Sequence, residues 1–311
     1  MKYDVICIGT ALLDSIIRGF NPNPVSASGY VAESGTLNPG GEAVNEAVAA
    51  SKLGMKTAIF CALGRDCAAD IILNELNKND VDTSLVVRTE STPVTTMFVK
   101  ADGTRQSVTN QAHRFNFHPE KDPALFKDSK AVILGSLFRA PFDDPEIIRA
   151  VTDAAKAAGQ LVVADTKLPN FRPLTLEDIR DALPCIDYIT PNEDEARYFT
   201  GKEKPEDMAD VFLGYGVKNA LIKLGSKGCL LKNPEMTVRL PALPVHAVDA
   251  TGAGDNLVAG FVSEILRGAT AKDALAFANV CGALCTTAVG AGTALKNRSQ
   301  VLQLMASVVR P

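Results

Sequence analysis

Residues 248–257 read Val-Asp-Ala-Thr-Gly-Ala-Gly-Asp-Asn-Leu. Gly252, Ala253 and Gly254 stand directly ahead of Leu257, Val258, Phe261, Val262, Ile265 and Leu266, whose spacing is that of a buried helical stripe. A helix that begins on glycine leaves backbone N–H groups uncovered at its positive end, where an anion can be held. Asp255 in that first turn has two readings. It can complement the helix dipole, or, kept ionised by the same positive end, it can take a proton as a general base. Glycine costs about 1 kcal/mol relative to alanine in a helix, so a Gly-Ala-Gly start is an odd choice for stability alone.

Other residues raise similar questions. Asn192-Glu193-Asp194-Glu195 has the spacing of a helix capping box. Asn45 lies in mid-helix among alanines and valines, where its propensity is poor, so it needs a partner. Asp14, just past the first apolar run, is either a turn former or a carboxylate able to accept two hydrogen bonds from a vicinal diol. Lys167 and Arg172, in DTKLPNFRP, and Ser136–Arg139 sit near strand ends, suited either to an acidic or already phosphorylated substrate or to solvent, and are expected in solvent. There is no G-x-x-x-x-G-K-[ST] run, and no G-x-G-x-x-G follows the first strand, so neither a Walker-type loop nor a nicotinamide-binding fingerprint is present.

The elements that must position these groups alternate. Short β-branched runs at 3–9, 57–64, 131–136, 161–166, 188–192 and 219–225 are followed by helical patterns near 40–54, 66–79, 144–158, 175–182 and 192–200. A short strand pair is expected across 229–239, then helices to about Gly268 and over 271–288. That rhythm predicts an α/β fold: a doubly wound, mostly parallel central sheet with helices on both faces. Segments 10–38 and 83–118 have a different texture, polar and alternating, with a hairpin-type turn at 101–103; they predict a small antiparallel β-sheet lid.

With these pieces in order, the chain resembles the ribokinase-like (PfkB) family of carbohydrate and nucleoside kinases. The resemblance is carried by Val248–Asp255, by Gly40-Gly41-x-x-x-Asn45 with a helix closing at Leu53-Gly54, by Asn192-x-x-Glu195, and by Gly225-Ser226-Lys227-Gly228. It implies one ribokinase-like domain over 1–311, with lid strands from about 10–38 and 83–118. It also implies ATP-dependent phosphorylation of a hydroxymethyl-type alcohol of a ribose- or fructose-type sugar. Asp255 would be the base, and the Gly252, Ala253 and Gly254 amides would stabilise the transferring phosphoryl group. Asp14, Gly41 and Asn45 would bind the acceptor. Gly225, Ser226, Gly228, Asn192 and Asn279 would serve ATP, and Asn192 and Glu195 would organise Mg²⁺ through water. Asp249 and Thr251, with the loop near 288–294, match a monovalent-cation site suited to K⁺. Asn256 departs from the family, which more often has a small residue and then an aromatic at this point. Two alternatives stay open. One is a nucleoside acceptor, stacked on Phe98, Phe115 or Phe117; the other is a catalytically silent homologue that only binds a small molecule.

Bulk properties fit a soluble cytoplasmic enzyme: 311 residues, 46% apolar, 22% charged, net charge −4. They offer no basic footprint for nucleic acid and no run of ~20 apolar residues for a membrane. The first residues read as a strand rather than a signal peptide. Seven cysteines in apolar segments suit a reducing compartment, and only three histidines argue against zinc. A homodimer through exposed lid strands is also expected.

Overall fold

Apolar residues on both faces of six short runs build one parallel sheet. In the first strand, β1 (Tyr3–Ile8), Ile6 and Ile8 enter one core while Val5 and Cys7 enter the other, as the two-residue period of a strand requires. The computed structural model describes residues 1–19, 31–100, 104–110 and 118–308. Along the chain follow β2 (Leu12–Arg18), β3 (Ser34–Gly40), α1 (Glu42–Lys52), β4 (Thr57–Phe60), β5 (Ala62–Leu63) and α2 (Cys67–Lys78). Next come β6 (Val87–Arg88), β7 (Val94–Val99), β8 (Arg105–Thr109), β9 (Ser129–Leu137), α3 (Pro145–Ala157), β10 (Leu161–Thr166), β11 (Tyr188–Ile189) and α4 (Glu193–Thr200). The remainder is α5 (Pro205–Gly214), β12 (Asn219–Lys223), β13 (Cys229–Lys232), β14 (Thr237–Leu240), α6 (Ala253–Ile265), α7 (Ala271–Cys285) and α8 (Arg298–Val308).

The large sheet runs β14-β13-β12-β11-β10-β9-β1-β4, parallel from β12 to β4, with β13 and β14 antiparallel at one edge. Helices α3, α4 and α5 cover one face; α1, α2, α6, α7 and α8 cover the other. Strand order reverses between β1 and β9, and ligands of such sheets gather beyond the carboxyl ends of strands at that point. A separate four-stranded sheet, β3-β2-β7-β8, forms the lid.

Several expectations need correction. The lid is not wholly antiparallel, because β2 pairs β7 in parallel. The helix expected at 175–182 is two single 3-10 turns, Glu177–Ile179 and Leu183–Cys185. Asp178 accepts from both the amide and the hydroxyl of Thr175, and Pro173 and Pro184 bracket the segment, so local bonds and missing donors compete with a helix. Helix α7 stops at Cys285 because Thr286 and Thr287 turn their hydroxyls back to Ala283 O and Leu284 O. Helices α5 and α8 were not anticipated. The turn at 101–103, Phe115 and Phe117 lie outside the described residues.

Candidate active site

The start of α6 is built from a left-handed turn. Gly252 has φ +76°, and a Cβ there would collide with Ala291, so this position needs glycine on both counts. Asn256, the residue that departs from the expected pattern, donates its amide to Gly252 O (2.8 Å) and Ala291 O (2.7 Å). It fastens the glycine turn to the loop after α7. Ala253 N–H closes on Ala250 O at 3.2 Å, a bond that any phosphoryl oxygen would have to share. Gly254 lies against Lys223: a Cβ there would stand 3.2 Å from the ammonium.

Asp255 is buried in the first turn of α6. Asn45 of α1 donates its Nδ2 to Asp255 Oδ2 at 2.6 Å, so the partner that this mid-helix asparagine needs is the aspartate itself. Burial, then the Glu42 charge, raise the Asp255 pKa to about 6, against the pull of Lys167 and Lys223. The positive helix end therefore does not bring it below the ordinary carboxylate value, but the group still ionises below neutrality.

A second layer of charge lies at the ends of β10, β11 and β12. The buried Lys223 ammonium meets Asp165 Oδ1 at 2.5 Å, and Thr190 donates to the same oxygen at 2.7 Å. Burial opposes the Lys223 charge, but Asp165, Glu195 and Asp255 outweigh it and hold its pKa above normal. Glu195 Oε2 accepts from Asn192 N (2.9 Å) and Thr166 Oγ1 (2.8 Å), while Asn192 Nδ2 reaches Glu195 Oε1 at 2.7 Å and Asn192 Oδ1 accepts from Glu195 N at 2.9 Å. The capping box is complete. Glu46, one residue after Asn45, is fully buried with neither carboxylate oxygen hydrogen-bonded among the described residues. Burial, then the nearby Asp165 and Asp255, push its pKa well above the ordinary carboxylate range. Sequence reasoning missed Lys223, Asp165 and Glu46. The available signal for the first two was a charged residue closing an apolar strand run, as in NALIK and LVVAD.

Toward the lid, Asp14 packs against Gly40, and burial with the Glu42 charge raises its pKa to about 6. Gly41 has φ +97°, and a Cβ there would strike the Thr10 carbonyl. Glu42, the first residue of α1, pairs with Lys167 at 2.9 Å and accepts from Ser136 Oγ. Burial works against its charge, but Lys167 and Ser136 prevail and bring its pKa down to about 2. Lys167 is correspondingly raised, chiefly by Glu42. The solvated expectation is thus wrong for Lys167, and for Ser136, which is 1% exposed. It holds for Arg172, which pairs with Asp144 at the surface at 3.0 Å, and for Arg139, which donates to Leu168 O at 2.9 Å.

The residues expected on the nucleotide side have structural bonds of their own. Asn279 donates to Pro241 O at 2.7 Å, tying α7 to the loop after β14. A Cβ on Gly228 would run into the Leu240 carbonyl, whereas Gly225 has open space around it and Ser226 is exposed. Asp249 accepts from Thr251 N (3.0 Å), Thr251 Oγ1 (2.7 Å) and Gly290 N (3.0 Å).

Residues 3–298 match the pfkB family carbohydrate kinases. The chain belongs to this family. It is a carbohydrate kinase, a transferase that binds ATP. Similar pfkB proteins include probable fructokinase-5 of Arabidopsis thaliana, 29% identical with 97% of each chain covered. The ATP-dependent 6-phosphofructokinase of Thermoanaerobacterium thermosaccharolyticum is 27% identical over 88% of this chain and 85% of its own. Among solved structures, Arabidopsis thaliana ribokinase complexed with ribose and ATP superposes with a TM-score of 0.86 at 26% identity, covering 98% of this chain and 99% of that one.

Proposed function

We propose that this pfkB kinase transfers the γ-phosphoryl group of ATP to a hydroxymethyl group of a free ribose- or fructose-type sugar, with Asp255 as general base. The observation that carries this reading is the 2.6 Å bond from Asn45 to Asp255. It brings the glycine-glycine motif of α1 and the glycine-rich start of α6 to one point at the strand-order reversal. Relatives named for fructose and ribose chemistry support the acceptor class.

In this mechanism Asp255 accepts the acceptor hydroxyl proton, and Asn45 fixes which oxygen faces the substrate. The amides of Gly252, Ala253 and Gly254 spread negative charge as the phosphoryl group moves, with the Lys223 ammonium against the same turn. Asp14, Gly41 and Asn45 orient the sugar. Gly225 and Ser226 receive the nucleotide, with Gly228 and Asn279 shaping the ground beneath it. No group of three or more His, Cys, Asp or Glu among the described residues is arranged to hold a metal. The capping box also occupies Asn192 and Glu195, so these two fit Mg²⁺ only through water. When bound, Mg²⁺ supplies neutralisation of phosphate charge. Asp249 and Thr251 would hold K⁺, with assays in K⁺ and in its absence as the measure.

The lid closes over the acceptor in this reading, and its edge strands β3 and β8, with exposed Leu37 and Val108, form a homodimer whose mass sedimentation would report. Among the described residues no helix is long and apolar enough to cross a membrane. Cytoplasmic placement is supported by seven free cysteines, five of them buried. The test of the reaction is ATP-dependent phosphorylation across a panel of sugars and nucleosides, with Asp255→Asn alongside. Turnover unchanged by the substitution would sink the base assignment; no product from any acceptor would sink the kinase reading.

A further inference from the structure

Resting on that reading, we infer that the Glu42–Lys167 ion pair, braced by Ser136, is a charge filter that confines the acceptor to uncharged sugars. Two ammonium groups act on Asp255, Lys167 and Lys223. Both are already committed. Lys223 is held by Asp165 at 2.5 Å, and Lys167 by Glu42 at 2.9 Å. The carboxylates around the acceptor position are Asp14, Glu42 and Asp255, and Glu42 acts electrostatically on both of the others. A second negative group on the acceptor would meet three carboxylates and would have to take Lys167 away from a largely buried Glu42, leaving that carboxylate with no counter-charge.

Ser136 gives the pair a built character. This residue, near the end of β9, sits at φ +69°, a region that non-glycine residues rarely adopt, and it is 1% exposed. Strain of this kind persists only where the surroundings hold it. Here it hands the hydroxyl to Glu42 Oε2, while Lys167 pairs with Oε1. Glu42 is thereby fixed as an ionised group beside the sugar, and its accepting capacity suits hydroxyls rather than phosphate or carboxylate. Overall similarity does not decide the matter, since relatives at nearly equal identity are named for free and for phosphorylated sugars. The local charge does.

The test compares ribose with ribose 1-phosphate and fructose with fructose 6-phosphate, each phosphorylated member keeping a free hydroxymethyl group, both by calorimetric binding and by kcat/KM with Mg²⁺-ATP. Wild type should favour the neutral member of the preferred pair by about 100-fold or more. Glu42→Gln frees Lys167 and should shift that ratio toward the phosphorylated member by about tenfold or more. Lys167→Gln removes the cation and leaves Glu42 bare, so it should weaken the phosphorylated member further; it keeps the inference falsifiable if the first variant does not fold. A wild type that binds the phosphorylated sugar as well as the neutral one overturns the filter, as does a ratio within about threefold of wild type in both variants. Failure to phosphorylate any sugar while the binding preference stands counts against the kinase reading and not against the filter.

Discussion

Burial and the neighbouring Glu42 raise the Asp255 pKa to about 6, which places its titration inside the range that an activity assay can scan. With Asp255 as the base, kcat should fall away below about pH 6 and stay level through neutrality. Asp255→Asn should lower kcat by roughly 10²–10⁴-fold. The same substitution should raise the thermal midpoint by a few degrees at pH 7–8. A carboxyl with a raised folded-state pKa favours the fold at low pH and loses that advantage as pH rises through the folded value. The gain from Asn should therefore shrink toward pH 4. Glu46 makes the same argument more strongly, because it is fully buried and unpartnered. Glu46→Gln should stabilise the protein by an amount that grows as pH rises above the ordinary carboxylate value, as calorimetry at several pH values would show. At this scale the sequence exposed what glycine and helix-start patterns can mark: Asp255, Gly252 and Gly41. It hid Lys223, Asp165 and the pairing of Lys167, because a charged residue at the end of an apolar strand looks the same whether it faces water or a buried charge, and it hid Glu46, whose place in a helix does not show that its side chain is buried.

Helix α6 starts where it does because Gly252 turns left-handed and Asn256 ties that turn to Ala291. Asn256→Ala should cost about 1–3 kcal/mol by leaving carbonyls short of a donor. If the turn also forms the phosphoryl site, kcat should drop more than the KM for sugar rises. Denaturant unfolding together with steady-state kinetics separates the two effects; unaltered stability would contradict the role assigned to the amide. Helices with a clear apolar stripe and caps, α1, α2, α3 and α4, stand where periodicity and capping residues put them. The segment at 175–182 does not, because Thr175 and Asp178 satisfy each other locally before a second helical turn can form.

Across the whole molecule, alternating strands and helices were enough to anticipate the parallel sheet with two helical layers. The pairing of β2 with β7 was not, since parallel partners are joined by no local turn and their polar strands leave register weakly marked. Ligands that bind only the folded protein add stability by mass action. ATP analogue and sugar at about 100 times their dissociation constants should each raise the thermal midpoint by several degrees. Together they should exceed the sum of the separate shifts if lid closure couples the two sites; a strictly additive result would argue against that coupling.

The bond between Asn45 and Asp255 joins helices whose residues are 210 positions apart. Any nick, truncation or permutation that keeps α1 from packing on α6 releases the proposed base from the amide that orients it. No fragment of this chain should then retain partial turnover. Recovered activity would thus count molecules that have completed their topology, which makes the reaction itself a quantitative assay of refolding yield.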